Sequence, residues 1–323
     1  RMPMAELADA IVQCGRDTLE RAIALVRDHP RWRAKVVYGD TDSLFVHMPG
    51  RTLAEAHAIG AEIAAAVTAD NPDPVCLKLE KVYSPCILQT KKRYVGFAHE
   101  TPDARVPPSF DAKGIEVVRR DSCPLLVKTQ RTALQLLFHN KDLSLVKRYV
   151  QRHVAKLRAG RIPLGDLVFA KETRLGTYSK TPGASKPPAA IVAEALMARD
   201  PRLEPKFGER VPYVVVCGEP GGRLMDMIAH PRDVVDSNGT MRVNAKYYGD
   251  KVIAPAMQRL LGLVGADVGA WPGLRWTPAR SDAKRRIVVI RMPGARSHVL
   301  RFALIRFSFI GSSIFTLISP SKK

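Results

Sequence analysis

The sequence predicts an α+β fold: an antiparallel sheet with helices on one face, followed by a mainly helical region. Three observations predict it. Two β-rich runs, residues 35–38 and 43–46, flank a Gly-Asp-Thr-Asp stretch, which reads as a hairpin. Residues 75–80 alternate, with Val75, Leu77 and Leu79 on one side and Cys76, Lys78 and Glu80 on the other, the period of a half-buried strand. Apolar residues before and between these strands recur at helical spacing.

Residues 4–29 predict an amphipathic helix with Ile11, Leu19, Ile23 and Leu25 near helical spacing among Arg16, Asp17, Glu20 and Arg21, ended by Pro30. The hairpin follows and closes at Pro49 and Gly50. Residues 52–69 are alanine-rich and helical, with Leu53, Ile59, Ile63 and Val67 on one side. The strand from Val75 gives way at Pro85, and Ile87-Leu88-Gln89-Thr90 leads into another strand over residues 91–97. From about residue 121 the pattern is helical, at 122–138, 142–158 and 187–199, with a Gly-, Pro-, Lys- and Thr-rich loop at 173–188. A short β segment covers 211–216, and helical spacing resumes near 244–264. The expected divisions are 1–120, 121–275 and a basic, then apolar, tail at 276–323.

The 323 residues suffice for two domains of about 100–200 residues each, and a 46% hydrophobic content excludes a wholly disordered chain. The net charge of +20 points to a polyanionic partner, nucleic acid before an acidic membrane surface. Cys14, Cys76, Cys86, Cys123 and Cys217 form no Cys-x-x-Cys pair. They support neither a zinc site nor a disulfide framework and suit a reducing compartment. The apolar stretch at 307–318 is about 12 residues, short of the ~20 that a spanning helix needs, so no membrane partner is expected. The opening Arg-Met-Pro-Met has neither an initiator Met nor a signal-peptide core and reads as the interior of something longer.

The chemistry concentrates in Tyr38-Gly39-Asp40-Thr41-Asp42-Ser43. Two carboxylates two residues apart at a hairpin tip repel unless a cation lies between them, and Mg²⁺ suits carboxylate and phosphate oxygens together. Gly39 is expected to let the backbone bend tightly. Asp-x-Asp alone is equally the sequence of an ordinary turn. Downstream, Lys91-Lys92-Arg93-Tyr94 sets three cations beside an aromatic ring, a surface for phosphate contact and for stacking or sugar packing. By itself such a run is ordinarily a solvated face. Glu80, on the polar side of its strand, is either near a cation site or a surface partner of Lys78 or Lys81.

Together these motifs resemble family-B DNA polymerases. The Tyr38–Ser43 hexapeptide between two hydrophobic strands is similar to that family's palm signature, and Lys91-Lys92-Arg93-Tyr94 to its primer-gripping motif. The passage from Phe110-Asp111-Ala112-Lys113-Gly114-Ile115-Glu116 to Arg119-Arg120-Asp121-Ser122-Cys123-Pro124 resembles the junction of palm and thumb. Lys171 to Tyr178, Gly208 to Val216, and Asn244-Ala245-Lys246-Tyr247-Tyr248 continue the likeness to about residue 275, closest to a translesion branch of the family. The resemblance implies a partial palm over 1–120 and a thumb over 121–275. It implies nucleotidyl transfer from a dNTP to a primer 3′-hydroxyl with two Mg²⁺, in the nucleus. Asp42 is then the principal metal ligand, Asp40 its support and Glu80 a nearby carboxylate. Lys91, Lys92, Arg93 and Tyr94 would place the primer, and Arg119 and Arg120 would line the backbone of primer–template DNA.

The sequence also departs from the family. A second palm aspartate, a fingers helix with Lys and Asn for the triphosphate, and an exonuclease domain have no counterpart here. The translesion branch ends in paired cysteines that hold zinc and an iron–sulfur cluster and dock accessory polymerase subunits, but no Cys follows Cys217. The chain alone is therefore expected not to polymerise. Two other classes remain: a non-catalytic module that grips primer–template DNA, and a metal-dependent nuclease. The latter lacks a His or further acidic cluster beside Asp40 and Asp42.

Overall fold

The computed structural model describes residues 4–40, 42–179, 181, 184–219, 221–274 and 302–309. Most of the 276–323 tail, the opening Arg1 to Pro3, and Lys180, Pro182 and Gly183 of the 173–188 loop lie outside the described residues. The chain forms two compact units, one reaching Lys113 and including the last strand, the other starting at Gly114. The first runs α1 (Ala5–Asp28), β1 (Lys35–Asp40), β2 (Ser43–His47), α2 (Leu53–Ala69), β3 (Val75–Thr90), β4 (Arg93–His99) and β5 (Ser109–Lys113). The second runs α3 (Pro124–Asn140), α4 (Leu143–Arg158), α5 (Leu164–Leu167), β6 (Phe169–Glu172), α6 (Pro188–Arg199), β7 (Arg210–Val215), β8 (Ile228–Ala229), α7 (Pro231–Asp236), α8 (Ala245–Tyr247) and α9 (Ala254–Leu261). A final strand, β9 (Phe302–Phe309), returns to the first unit.

In that first unit a six-stranded sheet runs β1-β2-β9-β3-β4-β5, every neighbouring pair antiparallel. Alternation assigns its faces. Leu44 and Val46 of β2 and Val75 and Leu77 of β3 join Ala22 and Val26 of α1 and Ala56, Ile63 and Val67 of α2 in one buried cluster. The intervening Phe45 points the other way and packs with Tyr83, Cys86, Ala98 and Leu304. Both helices thus lie on one side of the sheet. A Thr52–Glu55 capping box starts α2, each side chain satisfying the other residue's backbone N–H.

Three expectations change. The first is the buried stripe of α1. Ala22 and Val26 are its buried residues, Leu19, Ile23 and Leu25 are partly buried beside them, and Ile11 is 41% exposed on the helix's outer half. Next, β3 continues through Pro85 as one sixteen-residue strand. The β3–β4 register shifts between Tyr83 and Cys86, and this irregularity accommodates the proline, which cannot donate to the ladder. Lys91 and Lys92 consequently form the β3–β4 turn instead of opening a strand. Finally, Gly39 lies within β1 and is absent from the positive-φ glycines; residue 42 lies at the turn instead.

The second unit pairs α3 with α4 and carries its own sheet, β6-β7-β8. Several residues of the resembling motifs are structural ties here. Tyr248 is fully buried, accepts from the Val215 N–H and donates to the Leu167 carbonyl at 2.6 Å. Glu116 joins Gln130 of α3 to Arg259 of α9. Burial alone would raise its carboxyl's pKa, but those two donors outweigh it and hold the group below the ordinary value.

Candidate functional site at the hairpin tips

The acidic pair arises from a two-residue turn. Asp40 pairs with Ser43 at the end of the β1–β2 ladder, the Asp42 N–H donates to the Asp40 carbonyl, and the Ser43 hydroxyl donates to the same carbonyl at 3.2 Å. Tyr38 pairs with Phe45, so its side chain lies on the helix-free face, and Asp40, two residues on, shares that face.

The β3–β4 tip meets this hairpin. Lys92 holds φ +60° in the turn. Its backbone N–H donates to Tyr38 Oη at 2.8 Å, and its Nζ lies 3.1 Å from Asp40 Oδ1. The Lys92 ammonium is exposed, and the hydrogen bond to Asp40 raises its pKa further. Partial burial raises the Tyr38 phenol, with the Asp40 charge adding to it. Thus Asp40 and the Lys-Lys-Arg-Tyr segment, far apart in sequence, share one place on the open face. Lys91 is exposed beside them, and Arg93 is half-buried.

Tyr94 serves otherwise than its sequence suggested. Its ring is not a free stacking surface: it meets Phe45 edge-on at 4.7 Å and Tyr83 at 5.9 Å. Burial pushes its phenol up to about 12. Phe45 also contacts Tyr38 at 5.7 Å and Tyr83 at 5.8 Å, making an aromatic wall from one tip to the other. Glu80 falls where the β3–β9 register shifts between Leu79 and Lys81; its charge reaches Tyr94. Lys81 reaches Asp111 at 3.0 Å.

Sequence reasoning missed that last group. Tyr83 is fully buried and donates to Asp111 Oδ2 at 2.7 Å, beside Lys81. Gly96 lies opposite Cys86 on β3 and opposite Asp111 on β5. A Cβ there would come 2.7 Å from the Pro85 carbonyl and 2.9 Å from Tyr83 Cδ1. The missing side chain is the space in which the Tyr83 ring lies. Burial by itself would raise the Asp111 carboxyl, but hydrogen bonds from Tyr83 and Lys81, with the Lys81 and Lys113 charges, hold it below the ordinary range. The available signal was a glycine inside a strand pattern, which marks close approach.

Asp42 and Asp40 are hard oxygen donors, the kind Mg²⁺ takes, and the cation on Asp40 in this structure is the Lys92 ammonium. Two carboxylates fit Mg²⁺, which usually completes its shell with water and phosphate. Among the described residues no three or more His, Cys, Asp or Glu side chains gather as a metal cage. All five cysteines are free, and burial raises the Cys86 and Cys123 thiols, the latter to about 11. This donor set does not fit zinc or an iron–sulfur cluster.

Arg119 and Arg120 belong to the second unit. Arg119 makes paired contacts to Asp121, at 2.8 and 2.6 Å. Both arginines line a cleft of about 460 Å³ with Lys171, Arg210, Asp121 and Glu172. Four cations against two carboxylates leave it basic. Among the described residues no helix is long and apolar enough to cross a membrane.

The profile of DNA polymerase family B matches residues 1–263. The chain is 56% identical over 271 residues to a DNA polymerase zeta catalytic subunit of Arabidopsis thaliana, covering 84% of this chain and 14% of that protein. It is 52% identical to one of Homo sapiens, covering 84% and 8%. A DNA polymerase delta catalytic subunit of Dictyostelium discoideum is 32% identical over 266 residues, 80% of this chain and 23% of that one.

Proposed function

Because this chain belongs to DNA polymerase family B, we propose that its first unit is part of a polymerase palm and its second a thumb that grips primer–template DNA. The activity is DNA-directed nucleotidyl transfer of the translesion type, with dNTP as substrate and the nucleus as its location. Accessory polymerase subunits are partners of the longer protein.

The observation that carries this reading is the meeting of the two hairpin tips, with Lys92 Nζ 3.1 Å from Asp40. One tip presents carboxylates and the other presents cations, which is what a DNA end with a nucleotide phosphate requires. Asp42 and Asp40 would hold Mg²⁺, which supplies charge neutralisation at the attacking and leaving oxygens of phosphoryl transfer. Glu80 adds negative field nearby. Lys91, Lys92 and Arg93 hold primer phosphates by charge, and Tyr94 acts by keeping the turn's strand packed on Phe45. Arg119, Arg120, Lys171 and Arg210 hold duplex backbone in their cleft.

Two assays on the purified chain test this. Primer extension with Mg²⁺ and dNTPs gives no product, since the described hairpin brings one acid pair and no third acid to the site. Fluorescence anisotropy gives salt-dependent binding to primer–template DNA, tightened by Mg²⁺ in the parent chain and not in Asp42→Asn. Robust extension, or no DNA binding, refutes the architecture. A second reading has the Lys92–Asp40 ion pair in its favour: a hairpin closed by its own cation grips DNA without metal. DNA binding indifferent to Mg²⁺ and to Asp42→Asn selects that reading.

A further inference from the structure

One aromatic ring in the second unit stands outside every core. Phe207 is 95% exposed, while the other Phe, Tyr and Trp side chains described are buried or partly buried. A lone apolar side chain on a surface is ordinary, but the chain holds this one at a built corner. In Lys206-Phe207-Gly208-Glu209 the Glu209 N–H donates to the Lys206 carbonyl at 2.9 Å, and the Lys206 N–H donates to Glu209 Oε2 at 2.9 Å. Gly208 takes φ +79°, the left-handed position that such a turn gives to glycine. The turn runs straight into Arg210, the first residue of β7, which pairs with Glu172 of β6. Arg210 and Glu172 both line the basic cleft with Arg119, Arg120, Asp121 and Lys171. Three residues reach at most about 11 Å, so Phe207 lies within about three base steps of Arg210, at ~3.4 Å each along a strand.

We propose that Phe207 is a stacking platform for an unpaired base of DNA whose neighbouring phosphates occupy the cleft of Arg119, Arg120, Lys171 and Arg210. This role rests on the reading of that cleft as a backbone site. It adds what the cleft alone lacks, a means of telling an unpaired strand end from continuous duplex. Charge complementarity names nucleic acid as the occupant: four cations stand against two carboxylates in the cleft. The residues beside Phe207 are Lys206 and Gly208, which offer an apolar protein partner no continuous patch. Lys206 is exposed and adds a further cation next to the ring. Bases inside a duplex cover one another, whereas an unpaired base offers its whole π face, and every base has one. The site therefore reads strand structure and not base sequence.

The test uses the full chain with a blunt duplex and with the same duplex carrying a short 5′ or 3′ overhang, whose base next to the duplex is 2-aminopurine. By anisotropy the parent chain is expected to bind one overhang form at least about fivefold more tightly than the blunt form, the low end of base–aromatic stacking. It also quenches the 2-aminopurine. Phe207→Ala and Phe207→Leu lose both effects, and Phe207→Trp keeps them. Phe207→Ala keeps the parent's affinity for blunt duplex, its slope of log affinity against log salt and its urea midpoint, because no charge and no buried atom is removed. The proposal is overturned if the parent shows no overhang preference, if Phe207→Ala or Phe207→Leu matches the parent on the overhang, if either loses blunt duplex equally, or if the urea midpoint falls. A parent chain that binds no duplex refutes the backbone reading of the cleft as well. One that binds blunt duplex, while Phe207→Ala matches it on the overhang, refutes the stacking role alone.

Discussion

Lys92 adopts a left-handed backbone, which costs a residue with a Cβ about 1–2 kcal/mol. Tyr38 Oη and the Asp40 carboxylate hold it there. Backbone strain of this kind persists where the surroundings over-determine it. Replacing the side chain separates its two possible roles. Lys92→Ala should weaken DNA binding and lower the slope of log affinity against log salt by about one, read by anisotropy across a salt series. An unchanged slope would mean that Lys92 only seals the hairpin. Asp111 gives a pH-dependent prediction. Its folded pKa lies below the ordinary carboxylate value of about 3.9, so its contribution is fully present above that pH and fades as pH falls through the folded value. Urea midpoints should drop below about pH 4. Tyr83→Phe should destabilise by about 1–3 kcal/mol at neutral pH and shrink that acid-side drop. The sequence made Asp40 and Asp42 legible, because their short-range spacing puts them at a hairpin end. It made the lysines legible as cations beside Tyr94 but set them in a strand, where the structure has a turn. The Asp111–Tyr83–Lys81 group was not legible: it depends on β3, β4 and β5 lying side by side, and no local period encodes that pairing.

Among the elements, the β1–β2 hairpin, α1, α2, α3, α4 and α6 follow from their periodicities and breakers. By contrast, α5 and α7 carry no such signal, and the run expected at 244–264 is broken into α8, a π-helical segment at 248–253 and α9. The β3–β4 hairpin does not follow, because Pro85 ordinarily ends a strand and here is absorbed by a bulge. Gly96 is the condition for that packing. Gly96→Ala drives a Cβ against a backbone carbonyl, which cannot rotate away as a side chain does. We expect a loss of about 1–3 kcal/mol, measured as a lower urea midpoint with unchanged m. A near-neutral result would mean that β3 and β4 can separate without cost. At the other end of the scale, Thr52→Ala removes half of the α2 capping box and should cost about 1 kcal/mol in the same measurement.

For the molecule as a whole, a net charge of +20 makes DNA binding fall with salt whatever the base sequence. Arg120→Ala should weaken binding uniformly across duplex sequences, whereas a sequence-selective loss would contradict a backbone role. Composition made this partner class legible. The sheet's completion was not legible, since β9 lies 212 residues beyond the end of β3 and its partners can be known only from the assembled sheet. That distance has a consequence during synthesis. At about 5–20 residues per second, roughly 10–40 s pass between translation of β3 and of β9. Until β9 arrives, no other described strand lies on the edges bordered by Leu44, Phe45 and Leu77, the sort of surface that draws chaperones.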